Sequence, residues 1–312
     1  MAIPNATYQT YAGIGIREDL TDVIYNISPT ETPFLTSIGK GKASNTLHEW
    51  QTDALAAATT NAQVEGDDIN ALTATATTRV QNYMQISTKA IVVSGTMDAV
   101  LKAGRKSELA YQLAKRGKEL KRDMEQTLVG NQAGNAGSAS VGRKTRALEN
   151  WYASNTSGGT SYATATGITA TATDGTTRAF TESLLKNVLK SVFSAGGDPT
   201  MLMVGPYNKQ VVSSFTGNAT RFDKSEDKKL IASIDVYASD YGELKVVPNR
   251  FQRERTAHVL DLEYWSVSYL RPIQTSDIAK TGDSEKKFMV VEYGLESRNE
   301  AASGVIADIT TS

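Results

Sequence analysis

His48 and His258 are the only histidines in the chain, and with 34 acidic residues they are the first side chains to ask about acid–base or metal chemistry. Each histidine falls in a stretch that reads as a strand, and neither has a second ligand at metal-binding spacing, so both read as ordinary strand residues. No HExxH pair is present. Glu65, Asp67 and Asp68 look like the start of a calcium loop, but no Asp-x-Asp-x-Asp-Gly series with a glutamate at position twelve follows, and the cluster reads as a solvated loop tip. Gly13 and Gly15 are followed by charge rather than by a helix. No GxGxxG, no GxxxxGK followed by Ser or Thr, and no GxSxG occurs. Five basic residues fall within Lys115–Arg122, yet Glu119 and Asp123 interleave with them and no aromatic stacks among them, which argues against a sequence-reading nucleic-acid module. Cysteine is absent, which removes disulfides, thiol nucleophiles and thiolate metal sites together. The expectation is no catalytic residue, no cofactor and no metal. The one chemistry these counts leave open is sugar hydrolysis, which needs only two carboxylates.

With no reacting group to place, the elements themselves carry the reading. Ser107–Val129 is the one long uninterrupted amphipathic stretch. Leu109, Leu113, Leu120, Met124 and Leu128 recur at spacings of four and seven and share one helical stripe, with Lys115, Lys118, Arg122 and Glu125 assigned to the opposite face. At 1.5 Å per residue the helix is about 34 Å long, and no proline kinks it. Before it, residues 1–45 lack a sustained period. Ser28 and Glu31 form a capping box with Pro29 at the first helical position, and Thr32–Pro33 repeats the start signal for PFLTSI, so an extended arm with short helical turns and the anchors Phe34, Leu35 and Ile38 is expected.

Residues 46–53 and 78–88 read as paired strands, with His48, Trp50 and Thr52 on one face of the first and Val80, Met84 and Ile86 on one face of the second, apolar sides that need a neighbour's cover. About 25 residues poor in bulk separate them, a length that points to a projecting, partner-bound hairpin. After the long helix, residues 131–177 read as loops and a Thr/Ala/Gly tract too poor in apolar bulk to fold alone. ALENWYASN within them is expected as a short strand and turn. Leu184 to Phe193 give a second amphipathic helix, MLMVG a buried strand and YNKQVVSSF another helix. Later segments are β-rich, with a loop expected at Thr275–Lys287. The pattern is α+β, with early and late strands sharing a sheet beside the long helix.

The net charge is −1 and the sequence pI about 6.2, so the global field draws the chain neither to DNA nor to anionic lipid, and contact with nucleic acid must be local. No stretch approaches the ~20 apolar residues of a membrane span, and the N-terminus lacks a basic start and apolar run. A cytosol-like compartment and no membrane partner are expected.

The order of these elements, with ISPTETPFLTSIGKGKASNTLHEWQTDAL (27–55), AGRKSELAYQLAKRGKELKRDMEQTLVGN (103–131), VYASDYGELKVVPNRF (236–251) and LRPIQTSDIAKTGDSEKKFMVVEYGLESRNEAASGVI (270–306), resembles the major capsid proteins of tailed bacteriophages, with the Hong Kong 97-type fold. The resemblance implies an N-terminal arm at 1–45, an E-loop hairpin at 46–90, and a P-domain part at 91–179 that holds a spine helix at 105–130 and a variable loop region at 131–177. An A-domain at 180–247 and P-domain strands with the C-terminus at 248–312 complete it. It implies a structural protein, not an enzyme, that self-assembles through hexamers and pentamers into the icosahedral head enclosing double-stranded DNA. Such a protein resides in the virion and is assembled in the host cytoplasm. Its implied partners are further copies of itself, a portal, a separate scaffold or decoration protein, and non-specifically contacted DNA. No built-in acidic coiled-coil scaffold is read at the N-terminus, and no Lys–Asn pair stands out for crosslinking. The inter-subunit contact candidates are Phe34, Leu35, Ile38, Trp50, Val80, Met84 and Ile86; the lumen- or DNA-facing candidates are Lys118 and Arg122. An encapsulin-like cargo shell of the same fold is the alternative, followed by a polysaccharide-active or binding α+β protein.

Overall fold

A computed structural model describes residues 31–66, 74–101, 104–215 and 236–311. The expected capping box at Ser28, the first thirty residues of the arm, the acids Asp67 and Asp68 and the middle of the expected A-domain lie outside them.

Helix α1 (Pro33–Ser37) starts at a proline, whose missing N–H is no loss at a helix start. Strand β1 (Gly39–Lys42), the hairpin strands β2 (Leu47–Thr52) and β3 (Thr78–Tyr83), strand β4 (Gln85–Ser94) and the short helix α2 (Gly95–Ala99) follow. The long amphipathic stretch is helix α3 (Glu108–Val129), capped by the Ser107 hydroxyl, which accepts from the Ala110 N–H at 3.3 Å. Then come β5 (Thr156–Ser157), α4 (Glu182–Ser194), β6 (Met201–Val204), α5 (Pro206–Ser213), β7 (Val236–Ser239), β8 (Gly242–Pro248) and β9 (Thr256–Leu260). Two long strands, β10 (Trp265–Ile278) and β11 (Ser284–Ser297), and the final β12 (Gly304–Ala307) complete the order.

These strands form three sheets: β1-β10-β11-β4, β5-β12-β9-β6-β8-β7 and the two-stranded β2-β3. The expectation that early and late strands share a sheet holds for β4 with β11, but β9 and β12 join the middle strands β6 and β8 instead. The expected loop at Thr275–Lys287 is largely paired: Gln274 to Ile278 face Val290 to Lys286, and the turn contains Gly282 at φ +87°. This hairpin end was hidden from pattern reading because its strands are solvated on both faces and show no apolar alternation.

Helix α3 packs mainly on β4, and its stripe residues Leu120, Met124 and Leu128 are fully buried with Trp265, Val291 and Tyr293. A second core lies between α4, α5 and the six-stranded sheet, built from Leu185, Leu189, Val192, Leu202, Val212 and Val246 among others. Residues 131–177 are not a loose surface insertion. Leu148, Trp151 and Tyr152 enter the first core, and ALENWYASN forms a 3-10 turn at Leu148–Asn150 rather than a strand. These three side chains anchor the tract, together with hydrogen bonds such as those that the Asp308 carboxylate accepts from the Gly159 and Gly175 amides.

Candidate assembly surfaces

Glu125, assigned to the polar face of α3 from its spacing, is fully buried. Its carboxylate accepts the Phe34 N–H at 2.9 Å, the Leu35 N–H at 2.8 Å and the Asn249 side-chain amide at 2.7 Å. Two of these donors are the otherwise unsatisfied first amides of α1, so the carboxylate caps a helix that has no side-chain cap of its own. Burial pushes the Glu125 carboxyl up from its ordinary value, and the three hydrogen bonds oppose that shift. One side chain thereby joins the arm, the spine and the segment after β8.

That joint overturns one expectation. Phe34, Leu35 and Ile38 were to dock on a neighbouring subunit, but they are 0, 8 and 4 % exposed within their own chain, packed in the core beside α3. The hairpin base is closed in the same way. Trp50 and Val80 stand opposite each other in register and pack on the first core, with the Trp50 indole N–H donating to the Ser297 carbonyl at 2.8 Å. Met84 is fully buried. Asn82, one residue from the end of β3, gives its amide to the Leu295 carbonyl at 2.6 Å and to the Thr145 hydroxyl at 3.0 Å. His48 meets Glu296 at 3.3 Å, and that contact, with bonds from Ser268 and Arg298, holds the Glu296 carboxyl down at about 2. Of the hairpin candidates only Ile86, 45 % exposed, remains open to a partner.

Three buried acids are held by donors. Asp308, fully buried and at φ +58°, accepts the Gly159 N–H at 3.1 Å, the Gly175 N–H at 2.9 Å and the Arg255 guanidinium at 2.5 Å. Glu149 pairs with Arg253 at 2.7 Å, yet burial pushes its carboxyl up to about 7. Glu292 is bracketed by Arg143 and by Arg271, the latter at 2.9 Å. His258 is fully buried against the Tyr152 ring, with centroids 5.7 Å apart, and burial holds its pKa down at about 3. Among the described residues no group of three His, Asp or Glu side chains could hold a metal ion, and no helix is long and apolar enough to cross a membrane. The arrangement fastens segments together.

Large apolar side chains that the subunit leaves bare lie on the hairpin arm, on the sheet face, on α4 at Phe193 and after α2 at Leu101. On the hairpin arm beyond β2, Leu55 is 99 % and Val64 76 % exposed, and the backbone between them pairs with no strand among the described residues. Pattern reading missed both because isolated apolar residues in a polar tract carry no period. The outer face of the four-stranded sheet shows Ile86, Val92 and Ile278, while Ile91 and Val93 point to the opposite, buried side under α3. Lys118 is exposed as expected. Arg122 is not free: its guanidinium lies over the Phe251 ring, 5.5 Å from the centroid, and it is half-buried.

The family model for the SU10 major capsid protein matches residues 3–310. The major capsid protein of Escherichia phage Phieco32 is 28 % identical over 337 residues, covering 96 % of each chain. The capsid asymmetric unit of cyanophage A-1(L) superposes with a TM-score of 0.66 at 13 % identity, covering 97 % of this chain and 99 % of the other. The holo-SrpI encapsulin complex of Synechococcus elongatus superposes with a TM-score of 0.56 at 11 % identity, covering 94 % and 92 %. The last two likenesses speak for the fold alone.

Proposed function

Because this chain belongs to the SU10 major capsid protein family and has the Hong Kong 97-type fold of phage capsids, it is a major capsid protein, and we propose that its copies close as hexamers and pentamers into the icosahedral head around the double-stranded DNA of a tailed phage. In this reading the chain divides into an N-terminal arm (1–45), an E-loop hairpin (46–90), a P-domain part with the spine (91–179), an A-domain (180–247) and a C-terminal P-domain part (248–312). A portal, a scaffold or decoration protein and non-specifically bound DNA are its further partners, and assembly takes place in the host cytoplasm before the shell becomes part of the virion.

The observation that carries this reading is the contrast between a closed core and a bare arm. Phe34 and Met84 are covered by their own chain, whereas Leu55 and Val64 have no cover, and an isolated two-stranded hairpin is marginal in water without one. We therefore move the inter-subunit contacts from the arm anchors to Leu55, Val64 and Ile86. The fold does not separate a virus head from a cargo shell, since encapsulins share it; family membership favours the head. The test is to delete residues 55–77, join the strands through Asn-Gly, and compare sedimentation and micrographs with wild type. A folded subunit that closes no shells is expected. Closed, normally sized and heat-stable particles from the deletion would place cohesion elsewhere. Wild-type particles from infected cells that carry genome-length DNA and one portal vertex distinguish a head from a cargo compartment.

A further inference from the structure

The acids of α3 are all engaged. Glu108 is bonded by Arg105 and Gln112, Glu119 pairs with Arg116 at 2.6 Å, Asp123 pairs with Lys89 at 2.6 Å, and Glu125 is buried beneath α1. Two of the five cations are engaged as well, Arg116 by Glu119 and Arg122 by the Phe251 ring. Lys115, Lys118 and Lys121 remain. All three are exposed, none has an ion-pair partner among the described residues, and every exposed charged side chain on the helix is one of them. At 100° per residue they span about a third of the helix circumference, at intervals of about 4.5 Å along the axis.

The other side of the same layer is different. The four-stranded sheet turns Ile86, Thr88, Ala90 and Val92 outward from β4, with Lys286 and Glu292 opposite Val92 and Ile86 on β11; Glu292 is held by Arg143 and Arg271, and Glu296, further along the same face, by His48, Ser268 and Arg298. On the helix the exposed charge is thus all positive, whereas the outer sheet face mixes apolar residues with Arg271, Lys286 and Glu292, in a chain whose net charge is only −1.

We infer that the stripe Lys115, Lys118 and Lys121 is the subunit's docking surface for a phosphate-backbone polyanion, double-stranded DNA, and that the helix side of the layer faces the shell lumen. The inference rests on the shell reading above. Three lysines with no bidentate donor among them and no aromatic to stack bases recognise phosphate charge and no sequence. They replace Arg122, whose place on Phe251 makes it a packing residue.

The experiment measures binding of a random-sequence DNA duplex by fluorescence anisotropy to purified shells opened at their vertices, and to free subunits, between 50 and 200 mM salt. Three phosphate contacts give a wild-type affinity that falls about 40-fold across that range by counterion release. Lys115→Gln/Lys118→Gln/Lys121→Gln should bind DNA more weakly and lose that dependence, the triple arginine variant should restore it, and Lys190→Gln on α4 should leave it unchanged. An unchanged salt slope in the triple glutamine variant overturns the inference. So does a triple variant that keeps wild-type DNA binding as a free subunit but fails to close shells, which would make the stripe a contact between copies. If wild type itself forms no shells, the shell reading fails, and the DNA titration of the free subunit still stands or falls separately.

Discussion

Replacing Glu125 by alanine removes the acceptor for three buried donors at once, the Phe34 and Leu35 amides and the Asn249 side chain. Leaving a buried donor unsatisfied costs about 1–3 kcal/mol each. Against that sum stands the relief of a carboxylate whose burial pushes its pKa up, so a net loss of about 3–5 kcal/mol is expected, as for breaking other buried charged networks. Glu125→Gln keeps the shape and one acceptor oxygen but turns an amide N–H toward a backbone N–H, and about 1–3 kcal/mol should be lost. Urea unfolding followed by tryptophan fluorescence reads the core directly, since Trp151 and Trp265 are buried in it and Trp50 packs against it. The midpoint should fall in the order wild type, Gln, Ala. Hydrogen exchange at the Phe34 and Leu35 amides should accelerate more than exchange in α4, which belongs to the other core. An alanine variant with the wild-type midpoint and protected Phe34 and Leu35 amides would refute the claim that this carboxylate fastens the arm to the spine.

Other expectations follow from the same contacts. Leu55→Ser with Val64→Ser should leave the subunit's urea midpoint within about 0.5 kcal/mol of wild type, because both side chains are solvated in the subunit, while particle yield by sedimentation drops; unchanged yield would clear the arm of a role in cohesion. Gly159→Ala should destabilise by about 1–3 kcal/mol or more, because its Cβ would sit 2.0 Å from the Thr176 carbonyl oxygen, and a thermal midpoint equal to wild type would contradict that packing. Burial puts Glu149 at about 7 and His258 at about 3, so as pH falls from about 6.5 to 4.5 the first adds about 1.4 kcal/mol per unit to stability and the second removes as much. Relative to wild type, Glu149→Gln should therefore lose stability steadily as urea unfolding is repeated across that window, and a pH-independent difference would mean that the Glu149 carboxyl titrates near its ordinary value.

The helices and buried strands were legible because their signal is local. The α3 stripe, the α4 stripe and the all-apolar MLMV of β6 each lie within one short window, and each is buried as its period requires. Glu125 was not legible: its place on the helix wheel is polar, and what buries it is a pair of amides 90 and 91 residues away. Phe34 and Leu35 failed for the same reason, since the polar tract around them gives no hint that a carboxylate elsewhere satisfies their backbone. The tract at 131–177 looked unable to fold because apolar bulk was counted and fixed acceptors were not. Its Gly159 and Gly175 amides are held by Asp308, near the far end of the chain. The WY pair at Trp151 and Tyr152 was the one local sign that this tract has an anchor. For the candidate surfaces the sequence named side chains that the chain's own core largely covers, because exposure depends on what the rest of the chain covers.

Four buried carboxylates stand where distant segments meet: Glu125 between arm, spine and the residue after β8; Glu292 between β11, β10 and the loop at Arg143; Glu149 against Arg253; and Asp308 against Arg255 and two loops. Such groups add little net stability over apolar packing, yet a fold that misplaces a partner leaves a charge uncompensated inside, which costs several kcal/mol. They act against wrong packings more than in favour of the right one, and they do so within a single subunit. Association is then left to side chains outside this closed unit. Burying one leucine or valine contributes only about 1.5–3 kcal/mol, so a contact resting on Leu55 and Val64 is weak for one pair of subunits and becomes strong only by repetition around a closed shell. In the proposed shell, a lattice of individually weak contacts lets a misplaced subunit leave before closure, and contacts through the bare arm are of that kind.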